Sequence, residues 1–333
     1  MDQLQNQTGY FLFSLDTELG WGFFDYDHAR SINISPDGSR ERRMIARLLE
    51  VFDEFEITVT WAITGHLFYK ECEMCDFCPI LEWQDKYHSF EEIYKTDNPQ
   101  WYGADIIKSL NTQGSRHEIG FHGYTHQLFD ESTMDARHAR DEIQEWLQVS
   151  RRIGIVPRTV VFPRNVIGYL KIFQDHGFVC YRGKEIQPSF YRLPYAGKLI
   201  KHIDQIAPFS APYIYDVSDC KINNGMVDLS ATQDFFGFNR RLELFLDSIH
   251  LSRIRFGRMI KAIKKAATQK KIIHICAHPW EFRGDEDIDK LRYVLGYVAD
   301  EIGKGRLISL GMAELADKVK IVKYAFDTLH PAN

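Results

Sequence analysis

Short apolar runs alternate with longer amphipathic stretches along most of the chain, and this rhythm restricts the fold more than any other feature. Runs rich in β-branched and aromatic residues occur at Tyr10 to Leu15, Ile57 to Ile63, His117 to Phe121, Thr159 to Phe162, Phe178 to Tyr181, Lys271 to Ala277 and Arg306 to Leu310. Such runs suit strands buried on both faces of a parallel sheet. Between them, Glu41 to Phe55 sets Met44, Ile45, Leu48, Leu49, Phe52 and Phe55 at helical spacing with charged residues opposite, which predicts a helix packed on that sheet. The same pattern predicts helices at Ala104 to Leu110, Ala136 to Arg152, Val166 to His176, Arg241 to Ala267, Asp287 to Ile302 and Met312 to Val319. Strands alternating with helices imply βα units and an α/β architecture.

Two stretches break the rhythm. Residues 68–100 hold Cys72, Cys75 and Cys78, and residues 187–236 hold prolines at 188, 194, 208 and 212 with many aromatics. A chain of 333 residues that is 44% hydrophobic can fill one large barrel, so both stretches are read as insertions in a single domain, the second running over the barrel mouth. The three clustered thiols have no obvious fourth ligand, although His66 and His88 are near in sequence, and they are read as a loop with half-buried cysteines. With six cysteines in all and a polar start lacking the basic and apolar parts of a signal peptide, reduced thiols and a cytoplasmic location are expected.

The net charge of −5, without any block of like charges, argues against a nucleic-acid partner. No apolar run approaches the roughly 18 to 20 residues of a membrane-spanning helix. Arg255, Arg258, Lys261, Lys264, Lys265 and Lys270 lie beside Ile254, Met259, Ile260 and Ile263. They are read as the solvated face of a barrel helix, with peripheral contact to an anionic membrane as the alternative.

Chemistry-bearing residues fall just after several strand candidates. Asp16 and Glu18 follow the first; Thr64 and His66 the second; His122 and His126 the third; Pro163, Arg164 and Asn165 the fourth; Arg182 the fifth; His278 and Trp280 the sixth. In a parallel barrel the carboxyl ends of the strands converge on one face, where sites form. Two histidines four apart share a face if their segment is helical, and two imidazoles with a carboxylate suit a divalent ion such as zinc. The second carboxylate is then free to act as a base.

Ser-Leu-Asp-Thr-Glu at 14–18, His-Glu-Ile-Gly-Phe-His-Gly-Tyr-Thr-His at 117–126 and Ile-Cys-Ala-His at 275–278 are spaced motifs. Through them the chain resembles polysaccharide deacetylases of the NodB-homology type, carbohydrate esterase family 4, from residue 10 to about 285. The resemblance implies a distorted (β/α)7 barrel and a metal-dependent enzyme that removes an acyl group, acetyl first, from an amino sugar. The implied metal is zinc, with cobalt, nickel or manganese as alternatives. It makes Asp16 the general base, Glu18, His122 and His126 the metal ligands, and His278 the acid that protonates the leaving amine. The substrate it suggests is a nucleotide-linked, lipid-linked or oligosaccharide amino sugar in surface polysaccharide assembly.

Three departures from the family pattern stand out. Thr17 separates the two acids, so either could be the ligand. The family's third motif sets an arginine before a proline, whereas Arg164 follows Pro163; Arg164 is expected to orient Asp16 or bind substrate, with Arg182 competing for the first role. The fourth motif is not recognisable. Trp21, Tyr124, Asn165, Arg182 and Trp280 are the candidate substrate contacts, the aromatics by stacking on sugar rings. A backbone N–H near Tyr124 or Pro163-Arg164 is the candidate oxyanion donor. A deformylase or other amide hydrolase on the same barrel, and a carbohydrate-binding homologue without catalysis, are the competing readings.

Overall fold

The computed structural model describes residues 8–71, 99–112, 115–186, 193–194, 196–206, 213–237 and 256–329. The strands are β1 (Gly9–Thr17), β2 (Thr60–Ile63), β3 (Glu118–Phe121), β4 (Thr159–Val160), β5 (Cys180–Tyr181), β6 (Ile222–Asn223), β7 (Met226–Asp228), β8 (Gln233–Asp234), β9 (Ile272–Ala277) and β10 (Leu307–Ser309). The helices are α1 (Asp27–Asn33), α2 (Ser39–Glu54), α3 (Ala104–Leu110), α4 (Ala136–Arg151), α5 (Leu170–Asp175), α6 (Gly197–Ile206), α7 (Gly257–Gln269), α8 (Asp285–Gly303) and α9 (Met312–Leu329).

One sheet runs in the order β6-β7-β5-β4-β3-β2-β1-β9-β8, with β10 beside β1. Its pairings are parallel except for β6 against β7. Asp16 at the end of β1 touches Arg182 just past β5. Those strands are four apart in the sheet, so the sheet is curled into a distorted (β/α) barrel with its carboxyl ends gathered together.

All seven expected strands are present, but one has a different place. β10 pairs with Gly9 to Phe11 on the β1 edge that β2 occupies from Ser14 onward, so it lies below β2 and does not follow it in the order. The strand that continues the curl past β5 is β7, and it lies within the stretch read as an excursion over the mouth. The signal was a two-residue hairpin: Asn224-Gly225, both with positive φ, joins β6 to β7, the dipeptide that a tight primed turn favours. β7 and β8 span three and two residues, too short for alternation to show. Residues 72–98, with Cys72, Cys75 and Cys78, lie outside the described residues.

Helix α2 buries Met44, Ile45, Leu48, Val51 and Phe52, each such side chain contributing about 1.5–3 kcal/mol when fully removed from water. Helix α5 is shorter than expected because Tyr169, just before it, is left-handed (φ 55°). Helix α7 buries Met259, Ile260, Ile263 and Ala266 within the barrel. Lys261 and Lys264 on its other side are exposed, and residues 241–255 of the expected helix, with Ile254 and Arg255, lie outside the described residues. Among the described residues no helix is long and apolar enough to cross a membrane.

Candidate metal centre

The stretch from His122 to His126 is not helical. It leaves β3 as a tight loop in which Gly123 (φ 76°) and His126 (φ 61°) are left-handed, and this turn, not a helical face, brings the two rings to 5.0 Å. Glu18 comes from the turn after β1, and one donor atom from each of Glu18, His122 and His126 lies within 4.8 Å of the others, all three residues being buried.

The donor chemistry fits a cation. His122 Nδ1 is 2.8 Å from the Val161 carbonyl, an acceptor only, so that nitrogen carries the proton in the neutral ring. His122 Nε2 faces Glu18 Oε2, 3.1 Å away. His126 Nε2 lies 2.8 Å from the same oxygen, yet neither of its ring nitrogens makes a hydrogen bond. Burial, only partly offset by Glu18, depresses the basicity of His126. Burial also opposes ionisation of Glu18, but the imidazoles of His126 and His122 prevail and hold its carboxyl well below the usual range. Three buried donors turned on one point make a site for a divalent ion.

The free oxygen of Glu18 is fixed as well. Oε1 accepts the Trp280 indole N–H at 3.1 Å. Gly22 leaves the room this requires, since a Cβ there would sit 2.0 Å from Oε1. Gly22→Ala is therefore expected to displace the carboxylate and reduce zinc occupancy while the far-ultraviolet circular dichroism stays unchanged; full occupancy in that variant would show that Glu18 is not a ligand.

Asp16 is held by a different arginine from the one beside the proline. Arg182, itself buried, reaches both carboxylate oxygens at 2.5 and 2.6 Å. Burial raises the Asp16 carboxyl, but Arg182 first, then His122 and His278, bring it below its ordinary value. Arg164 instead binds Asp25 and the Gly22 carbonyl. Arg164 and Asn165 are both left-handed (φ 49° and 54°), which turns the chain at this rim; Asn165 Oδ1 accepts from Arg182 at 3.1 Å. Arg182, expected as a substrate contact, is thus a buried partner of Asp16.

Below this pair runs a buried chain that the sequence reading missed. Arg182 donates to Ser14 Oγ at 3.2 Å, and Ser14 Oγ is 2.9 Å from His274 Nε2, whose Nδ1 is 3.0 Å from the Leu229 carbonyl. Burial and then Arg182 push the His274 ring down to about 3, so it stays neutral. Polar residues inside apolar strands were the available signal.

Across from Arg182, His278 Nε2 is 3.6 Å from Asp16 Oδ2. Glu281 accepts both the His278 backbone N–H at 2.7 Å and its ring Nδ1 at 3.2 Å. Burial would depress His278, but Glu281, Asp16 and Glu18 outweigh it and raise it to about 10. Glu281 was also missed, although its spacing from His278 is that of a capping box.

Two expected substrate contacts are core residues. Trp21 is fully buried and donates to the Trp101 carbonyl at 2.8 Å. Tyr124 is fully buried against His66, with its hydroxyl 3.2 Å from that of Tyr69. The Tyr124 N–H is no oxyanion donor either, because Glu142 takes it at 2.7 Å. His278, Asn165, Arg164 and Trp280 are left at the open edge.

No protein-family model matches the chain, and no curated protein sequence matches it. Solved structures do. One assigned as a polysaccharide deacetylase from Mycobacterium smegmatis matches with a TM-score of 0.56 at 16% identity, covering 97% of this chain and 94% of that one. Puue allantoinase matches at 0.51 and 14%, and a protein from Pseudomonas aeruginosa PAO1 assigned as a polysaccharide deacetylase at 0.50 and 14%, each covering 97% of this chain and 92% of its own. From the curled sheet and these likenesses, the chain has the fold that these structures share, two of them assigned as polysaccharide deacetylases.

Proposed function

We propose that this protein is a metal-dependent amide hydrolase that removes an acyl group, acetyl in the first instance, from an amino sugar. The observation that carries this reading is one cluster holding three parts: the gathered, buried donors of Glu18, His122 and His126, the Arg182-bound carboxylate of Asp16, and His278 3.6 Å from that carboxylate.

A divalent ion held by Glu18, His122 and His126, zinc on the donor set, would supply a Lewis acid to the amide carbonyl and to the attacking water. Asp16, kept ionised by Arg182, takes the proton of that water. His278, kept protonated chiefly by Glu281, gives its proton to the nitrogen, which must accept one to leave as an amine. The two groups have opposite protonation states in one place, which is what an acid and base pair requires. Asn165 and Trp280 at the open edge are the proposed substrate contacts, and Arg164 lines the same rim.

Zinc- or cobalt-loaded protein is expected to release acetate from N-acetylated amino sugars, and Asp16→Asn to abolish the release. Formate from N-formyl sugars, or opening of a cyclic amide, would point to the second reading, which the likeness in fold to an allantoinase favours. Sugar binding unaffected by Asp16→Asn, with no acid released from any substrate, would leave a binding protein.

A further inference from the structure

The loop that carries His122 and His126 cannot satisfy its own backbone. Its left-handed turns at Gly123 and His126 point the buried N–H groups of Tyr124 and Thr125 outward, away from any strand partner. Both are collected by one atom: Glu142 Oε2 accepts Tyr124 N at 2.7 Å and Thr125 N at 3.1 Å. The Thr125 hydroxyl donates to the other oxygen of the same carboxylate. The carbonyls are gripped from the other side, with Gly65 N 2.9 Å from the Gly123 oxygen and His66 N 3.2 Å from the Tyr124 oxygen.

Glu142 sits on α4, which starts at the Asp135 cap and buries Ala139, Ile143, Trp146 and Leu147. It belongs to that inward stripe and is fully buried, with no salt-bridge partner among the described residues. Burying a lone carboxylate costs several kcal/mol, a large cost if its only task were to hold a helix against a barrel. Three donors from a single loop, all on the stretch between two metal-ligand candidates, offset it.

We propose that Glu142 is the positioning residue of the metal centre: by clamping the Tyr124-Thr125 turn from outside the barrel ring, it fixes the spacing of His122 and His126 and thereby sets metal affinity. This rests on the metal reading above. Among metal sites, outer groups that orient ligands govern affinity by about 10–100-fold.

The test is zinc affinity, measured by competition with a chromophoric chelator, together with the visible absorption of the cobalt-loaded protein. Glu142→Gln keeps the size but removes the charge and leaves one acceptor oxygen for three donors. It is expected to weaken zinc by about 10–100-fold and to change the cobalt bands. Thr125→Val removes one of the three hydrogen bonds without changing shape, and is expected to weaken zinc by less than about 10-fold. It serves as the deciding variant if Glu142→Gln does not fold. Unchanged affinity and cobalt spectrum in a folded variant would overturn the role of Glu142 alone, whereas wild-type protein that binds neither ion would overturn the metal reading and this inference with it.

Discussion

Zinc that copurifies with or is added to the wild-type protein is expected to be lost from both His122→Ala and His126→Ala, and the two variants should differ in stability. Each removes one of three protein donors, a larger loss than the roughly 10–100-fold that follows from disturbing an outer group. His122 also donates to the Val161 carbonyl deep in the barrel, so its removal leaves a buried acceptor unpaired, at about 1–3 kcal/mol. His126 makes its close contact only with Glu18, 2.8 Å away, and Glu18 keeps His122 and the Trp280 indole when it is removed, so the metal-free fold should lose less. Metal content by elemental analysis and denaturant unfolding of the metal-free proteins read the two effects separately. Excess zinc should raise the melting temperature of wild type, which binds it only when folded, and leave both variants where they are. Stoichiometric zinc in either variant would remove that histidine from the donor set.

The parts of this site that could be read from sequence are those where a residue's chemistry depends on its position along a strand. Asp16, Glu18, His122 and His278 each follow an apolar run, and parallel pairing then brings those ends together. Matters decided by local backbone geometry were out of reach. Arg164 stands next to a proline and by sequence is expected to orient Asp16, but its positive φ and that of Asn165 carry the guanidinium to Asp25, and Arg182, just past β5, is the arginine that reaches Asp16. Trp21 and Tyr124 carry the same composition signal whether they face a sugar or a core, and burial decides for the core. Glu142 is the opposite case. An acid on the inward stripe of an otherwise apolar helix face could have been noticed, but not what it holds, because its partners are backbone groups with no mark in the sequence.

Arg182→Met is expected to destabilise the protein by about 3–5 kcal/mol and to abolish hydrolysis, while Arg164→Met changes stability by no more than about 1 kcal/mol. The two arginines make similar bidentate contacts, to Asp16 and to Asp25, and what separates them is solvent. The Arg182 and Asp16 side chains are 3% and 5% exposed, those of Arg164 and Asp25 41% and 24%. Removing one member of a buried pair leaves the other as an uncompensated charge, whereas water takes over at an exposed one. Asp16→Asn should for the same reason destabilise by a similar amount, leaving Arg182 unpaired. The double variant Asp16→Asn/Arg182→Met should recover part of the stability, because the second change removes the charge stranded by the first, and none of the activity. Arg182→Lys should not rescue, since a single ammonium cannot reproduce the two parallel contacts. Zinc occupancy should persist through the series, because Asp16 is assigned as base and not as ligand. Urea unfolding of the metal-free proteins gives the energies and elemental analysis the occupancy. If Arg182→Met loses less than about 1 kcal/mol, Arg182 does not hold Asp16 as assigned, and if the series loses zinc in step with Asp16, the roles of Asp16 and Glu18 are exchanged.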